Sequence, residues 1–328
     1  MKNTVTVVVI TLNRPECLRR CMAALQAQTV EPSQVIVVDA SHDQRNRSVM
    51  RRFPEVLYLA QPELFSRKTA SRNRGLLEAR GDIVAFLDDN AYAHPDWLQS
   101  LLGAYDGPNI GGVGGRALNG QRDEALADGV GVLQPNGFLT GNFASDPGEI
   151  IEVDHVIGCN MSFRREVLER LGGFREDFGG LSGLCEDSDL CLRVKALGYR
   201  LRFQPEACVD HDDAPQAEGQ RLSPSYYYYS RLNSCLMLVR HFGVSPILWR
   251  FPLAIAWQSS RELLRGAGGA LCRFAASGAG LAAGMVRGFY VYLRDGTDPI
   301  RRDAGAEAIR KALRAHAALS ATNRPAGR

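Results

Sequence analysis

Over the first hundred residues, unbroken runs of β-branched and apolar residues that end on acids, amides or hydroxyls alternate with amphipathic stretches. "TVTVVVIT" ends at Thr11, "QVIVVDAS" passes through Asp39, and "DIVAFLDDN" finishes on Asp88, Asp89 and Asn90. A continuous run of this kind is a strand buried on both faces, as parallel sheets require. Between the runs, "PECLRRCMAALQAQ" opens with Pro15 in the favoured first helical turn. "VLYLA" is a short third strand, while "SRKTASRNRGLLEARG" and "HPDWLQSLLGAY" read as helices. Alternation at these lengths predicts βαβ units in a doubly wound α/β sheet. Ligands of such sheets bind outside the carboxyl ends of the strands. That places Thr11, Asn13, Asp39 and the Asp88-Asp89-Asn90 triplet at one mouth.

After Gly107 the pattern becomes irregular. "GGVGGRALNG" lacks both GxGxxG and the lysine of a phosphate-binding loop, and reads as flexible strand and loop. "HVIGCNMSFRREVLERLGGF" gives a strand, a turn and a helix; "LCEDSDLCLRVKALGYRLRF" gives a helix running into a strand, and "EACVDHDD" closes the last strand. The net charge of +3 excludes a nucleic-acid binder that relies on bulk positive charge. Eight cysteines with no CxxC read as reduced core residues, and the short β-branched start reads as a strand rather than a signal peptide. The expected location is cytoplasmic.

Three acidic groups stand out. Asp88 and Asp89 follow a strand, Glu186, Asp187 and Asp189 begin a helix, and Asp210 and His211 end a strand. Each has an ordinary explanation, as a turn, as first-turn acids complementing a helix dipole, or as a surface turn. Together they have the chemistry of a hard divalent cation site, since such ions take oxygen ligands and accept an imidazole. A metal at Asp89 and His211 would sit beside Asp39, where a nucleotide could donate hydrogen bonds, and would neutralise a diphosphate. Asp187, unligated, would then take a proton from an attacking hydroxyl.

"TLNR", "VVDAS", "ASRNRGLLEARGDIVAFLDDN", "HPDWLQSL", "GCNMSFRREVLERLGGF", "CEDSDLCLRVKALGY" and "VDH" occur in the order and approximate spacing of family 2 glycosyltransferases. The resemblance covers about residues 4 to 242. It implies an inverting enzyme of the GT-A (nucleotide-diphospho-sugar transferase) fold, moving a sugar from a nucleotide-diphosphate sugar, UDP-sugars first, to an acceptor hydroxyl with Mg²⁺ or Mn²⁺. On this likeness Asp39 binds base or ribose, Thr11, Asn13 and Arg14 lie along the nucleotide, Asp88 faces ribose and Asp89 ligates metal. Asp187 resembles the catalytic base, Glu186 orients the acceptor, and His211 is a late metal or diphosphate ligand. Asn90 stands where Asp is frequent; its amide oxygen is an uncharged and weaker ligand. Arg72 either meets the base or diphosphate or is a solvated helix arginine, and Asn160 and Met161 either face the acceptor or form a structural strand-turn. A sugar-phosphate nucleotidyltransferase would show glycines after the first strand, where "TLNRPE" has none. A non-catalytic nucleotide-sugar binder or scaffold would have no need of Glu186, Asp187 and His211 together.

From Ser223 the chain reads as wholly helical. Residues 245–293 mix apolar residues, Gly and Ala with isolated arginines, and the longest uncharged stretch, Phe274 to Val286, is 13 residues. Spanning a bilayer takes roughly 20. The pattern is that of helices lying on a membrane surface, or else packed on the catalytic domain or in a homo-oligomer. The expected division is a catalytic domain over 1–222, with a nucleotide-sugar half (1–115) and an acceptor half (116–222), a helical region over 223–318, and a disordered tail over 319–328. A glycan or lipid-linked acceptor, as in cell-surface polysaccharide or glycolipid assembly, follows from a peripheral place on the cytoplasmic face.

Overall fold

The computed structural model describes residues 3–120, 129–180, 184–212, 223–243, 247–264 and 269–322. The chain begins β1 (Val5–Thr11), α1 (Pro15–Gln26), β2 (Gln34–Asp39), α2 (Arg45–Met50), β3 (Leu57–Ala60) and α3 (Lys68–Leu76). It continues through β4 (Ile83–Asp88), β5 (Ala91–Ala93), α4 (Trp97–Gly103) and β6 (Ile110–Leu118). Then come β7 (Ile151–Val153), β8 (Asn160–Arg164), α5 (Arg165–Leu171), α6 (Glu186–Ala196) and β9 (Arg200–His211). Among the described residues these form one mixed sheet in the order β3-β2-β1-β4-β8-β6-β9-β5, with β7 paired to β9. The β3-β2-β1-β4 half is parallel, as its crossover helices require, and β8 enters antiparallel between β4 and β6.

Successive side chains of a strand point to opposite faces, and the two halves of the core follow that rule. Val5, Val7 and Val9 of β1 and Ile83, Ala85 and Leu87 of β4 pack with α1 and α4, around Leu18, Met22, Trp97 and Leu101. Val8, Ile10, Val84 and Phe86 face the other way, onto Leu76 of α3, Leu168 of α5 and Leu190 of α6. Each valine so enclosed contributes roughly 1.5–3 kcal/mol over leaving it in water.

The glycine-rich segment is β6, a central strand. A Cβ at Gly115 would stand 1.9 Å from the Ala207 carbonyl oxygen, so its glycines answer to close strand packing.

The C-terminal part comprises α7 (Pro224–Phe242), α8 (Ile247–Leu264), α9 (Ala270–Asp295) and α10 (Ala304–Thr322). Ser223 caps α7 by accepting from the Tyr226 amide at 3.2 Å. Helices α7, α8 and α9 share a separate cluster that includes Leu236, Phe251, Ile255 and Val291. α10 instead returns to the sheet, where Ile309 and Leu313 join the core beside α5. It also runs into the segment expected as a disordered tail, whose residues 323–328 lie outside the described part.

Candidate active site at the strand mouths

Two hydrogen-bonded groups lie at the carboxyl ends of the parallel strands, one toward each face of the sheet. On the α1 and α2 side, Asp39 ends β2 with its carboxylate enclosed. Oδ1 accepts from the Ser41 amide at 2.9 Å and from Asn46 at 3.1 Å, and Oδ2 accepts from the Tyr58 hydroxyl at 2.6 Å. Burial and that carboxylate push the Tyr58 phenol up, so it stays a donor. Asn46 Nδ2 also lies 3.2 Å from Thr11 Oγ1, and the Thr11 hydroxyl donates to Asp89 Oδ2 at 2.7 Å. Arg14 completes the series at 3.1 Å from Asp89 Oδ1. Burial pushes Asp89 up to about 6 against the pull of Arg14 and Thr11. Asn13, whose amide donates to Ser41 Oγ at 2.7 Å, holds a left-handed φ of 57°, a conformation non-glycine residues adopt at a cost.

On the α3 and α6 side, Arg72 is fully buried and joins three elements. Its Nη1 donates to Glu186 Oε1 at 2.7 Å, and its Nη2 donates to Asp88 Oδ1 at 3.1 Å and to the Gly158 carbonyl at 2.8 Å. Lys68, one turn earlier on α3, stands 3.3 Å from Asp88 Oδ2 and 3.9 Å from Glu186. Two cations thus serve two carboxylates, Asp88 and Glu186. Although burial works against it, Asp88 is held at about 2 by Lys68, Arg72 and His211. Glu186, the deeper of the two in contact with Arg72, is pushed up to about 7 by burial and by Asp187.

Asp187 is half-buried in the first turn of α6. Its Oδ2 accepts from the Gly158 amide at 2.9 Å and its Oδ1 from the Ser188 amide at 2.7 Å. Ser188 Oγ lies 3.4 Å from the same oxygen and 3.2 Å from His155 Nδ1. His155, kept neutral by burial, has its Nε2 2.8 Å from the Thr140 carbonyl. Nε2 then carries the proton and Nδ1 accepts from the serine. Cys185, at the helix N-cap, has a φ of 75°, so the turn that aims Glu186 and Asp187 is itself strained.

The structure arranges the expected residues unevenly. Thr11, Asn13, Arg14, Asp39 and Asp89 form the first group, and Asp88, Glu186 and Asp187 the second. Arg72, expected at the donor or in solvent, is fully buried, and its two Nη atoms serve protein acceptors. Asn160 and Met161 are fully buried as well; Asn160 accepts from the Trp97 indole at 2.8 Å and donates to the Arg116 and Ala207 carbonyls. These two side chains brace the sheet. His211 pairs with Ala91 across β5 and β9, and Asn90 Nδ2 donates to the Asp212 carbonyl at 2.6 Å.

Among the described residues no three of His, Cys, Asp and Glu converge on one point. Asp88, anionic at neutral pH, and His211, close enough to draw its pKa down, still supply the hard oxygen and imidazole that a divalent cation takes. Asn90 follows two residues after Asp88, and its amide oxygen is a further donor of the kind such an ion takes, so the residue types fit a divalent cation. Asp89 is already engaged by Thr11 and Arg14.

Lys68, Asn46, Tyr58, His155 and Ser188 are not legible as site residues. Lys68 alone had a local signal, four residues before Arg72 on one helical face.

The raised pKa of Glu186 has a measurable effect. The unfolded chain gives up this proton near 4.5, the native state only near 7, so the native state holds the extra proton between them. Stability therefore falls as pH rises through that window, by up to about 3 kcal/mol. Glu186→Gln is expected to remove this fall, giving urea midpoints flatter between pH 5 and 8 than the parent's. Parallel curves for the two proteins would refute it.

A mixed sheet with acidic groups at its strand mouths, followed by helices, is the GT-A glycosyltransferase fold. The chain belongs to glycosyl transferase family 2, whose family model matches residues 6–172. Glu186, Asp187 and His211 lie beyond that match. The chain is 29% identical over 220 residues to the glucosyl-dolichyl phosphate glucuronosyltransferase of Haloferax volcanii, covering 64% of this chain and 69% of that protein. It is 28% identical over 206 residues to the O-antigen chain rhamnosyltransferase WbaN of Salmonella anatum, covering 60% and 63%. The aligned part is thus about two thirds of each relative's own length. Among solved structures, the mannosyltransferase PcManGT from Pyrobaculum calidifontis, in complex with GDP-Man and Mn²⁺, has a TM-score of 0.54 at 20% identity. That likeness covers 98% of this chain and 87% of the other. GalNAc-T7 with UDP, GalNAc and Mn²⁺ has a TM-score of 0.55 at 14% identity, covering 73% and 50%.

Proposed function

We propose that this protein transfers a sugar from a nucleotide-diphosphate sugar, UDP-sugars first, to a hydroxyl of a glycan or lipid-linked acceptor, with inversion at the anomeric carbon. The observation that carries the reading is Asp187. It is a half-buried carboxylate whose two oxygens are fixed by the Gly158 and Ser188 amides, beside a fully buried carboxylate and arginine pair.

In this reading Asp187 receives the acceptor's proton as the hydroxyl oxygen attacks the anomeric carbon. The group of Asp39, Thr11 and Asn13 receives the nucleoside, and Asp88 and Lys68 lie on the diphosphate side. Asp88, His211 and the Asn90 oxygen, or Asp89, would hold a divalent cation, Mg²⁺ or Mn²⁺, which when bound would supply charge to stabilise the leaving diphosphate. The Mn²⁺ of the two similar structures supports this choice. A role in polysaccharide or glycolipid assembly draws support from the relatives, which act on a dolichyl phosphate sugar and in an O-antigen chain.

The test is a panel of nucleotide sugars with the purified protein, following release of nucleoside diphosphate. One donor is expected to turn over well above the rest, and chelator is expected to abolish release until Mn²⁺ or Mg²⁺ is restored. Turnover undiminished in excess chelator would remove metal from the mechanism, and tight donor binding without any turnover would favour a binding protein.

A further inference from the structure

Helix α9 has two faces of opposite character. Gly280, Gly284 and Val291 face inward, and a Cβ at Gly280 would stand 2.2 Å from the Tyr228 carbonyl oxygen of α7. The small-residue stripe thus serves close packing inside the molecule. Opposite it, Leu271, Val286 and Leu293 are 70%, 73% and 68% exposed. Helix α8 repeats the arrangement, with Phe251 and Ile255 inward while Trp249, Leu253 and Trp257, spaced four apart on one face, are 75%, 71% and 64% exposed. Such apolar bulk held out in water marks a contact surface.

The charges say which kind. Residues 245–293 hold five arginines, at 250, 261, 265, 273 and 287, and one acid, Glu262. Arg250 and Arg261 are exposed on α8, and the Arg261 guanidinium lies 4.6 Å over the Trp257 ring. No described helix is long and apolar enough to cross a membrane. Two copies meeting face to face would bring arginine against arginine. Anionic headgroups satisfy the exposed Arg250 and Arg261 while the apolar side chains enter the acyl boundary, as in-plane amphipathic helices do.

We infer that the outer face of α8 and α9 docks on an anionic lipid bilayer, lying in its surface with Trp249, Leu253 and Trp257 inserted. The inference is independent of the reaction and goes beyond it. Its test is co-sedimentation of the full chain with phosphatidylcholine vesicles, with and without phosphatidylglycerol. The comparison is a Trp249→Ser, Leu253→Ser, Trp257→Ser variant whose thermal unfolding is checked against the parent. The parent is expected to partition onto the anionic vesicles and poorly onto the neutral ones, and added salt is expected to release it. The triple variant is expected to lose about tenfold or more of that partitioning while keeping the parent's turnover of donor. Equal partitioning of parent and variant, or preference for neutral vesicles, overturns the inference. So does a parent that fails to sediment and forms a dimer dispersed by the same substitutions. Absence of turnover in both proteins, with the parent partitioning onto anionic vesicles and the variant not, would instead count against the catalytic reading alone.

Discussion

Asp187→Asn is expected to cost about 10³-fold in turnover, within the range a positioned general base supplies. Nucleoside diphosphate binding should stay close to that of the parent. The amide cannot take the acceptor's proton, so the loss falls on the chemical step. It also cannot accept from both the Gly158 and Ser188 amides, because one of its two positions is now a donor. That costs roughly 1 kcal/mol of local stability, too little to unfold the site. The nucleoside group at Thr11, Asn13 and Asp39 shares no bond with Asp187 and stays intact. Calorimetric titration beside single-turnover rates reads the two effects separately. Activity within tenfold of the parent, or loss of binding and activity together, would remove Asp187 from the role of base.

The second large effect is on stability. Arg72→Met keeps much of the volume of a fully buried side chain but removes the one cation among the described residues that contacts both Asp88 and Glu186 at 3.1 Å or less. It also leaves the Gly158 carbonyl without its 2.8 Å donor. Breaking one side of a buried ion pair costs about 3–5 kcal/mol, since the remaining charge has no solvent to turn to. The sign with pH follows from Glu186, which is protonated below about 7 and needs no cation there. The destabilisation is therefore expected to be smaller at pH 5 than at pH 8, as read from urea midpoints at the two values. A loss under about 1 kcal/mol at pH 8 would mean that Lys68, 3.3 Å from Asp88 and 3.9 Å from Glu186, is enough to hold the cluster.

What sequence could show here was local. β1, β2 and β4 are legible because a strand covered on both faces must be apolar throughout, and the first polar residue then marks its mouth. Asp39, Asp88 and Asp89 follow directly. Asn46 and Tyr58 escape because their bonds to Asp39 depend on the register of β3 on β2 and on the placing of α2. Arg72 reads as an ordinary helix arginine until Glu186, 114 residues on, is brought beside it. The glycines of β6 suggest looseness, whereas the neighbouring Ala207 carbonyl makes them the tightest strand contact described above. For α9 the small residues and the large ones are mixed in sequence, and only the helix sorts them into an inward and an outward side.

Asp88 and Asp89 are neighbours in the chain that leave the sheet toward opposite faces. The alternation that carries Phe86 to the α3 face and Leu87 to the α1 face continues through the strand exit. Asp88 therefore meets Lys68 and Arg72, and Asp89 meets Thr11 and Arg14. The triplet behaves as a parity device. Inserting or deleting one residue in β4 would leave the composition of the mouth almost unchanged yet exchange the partners of the two acids, whereas a two-residue change would restore them.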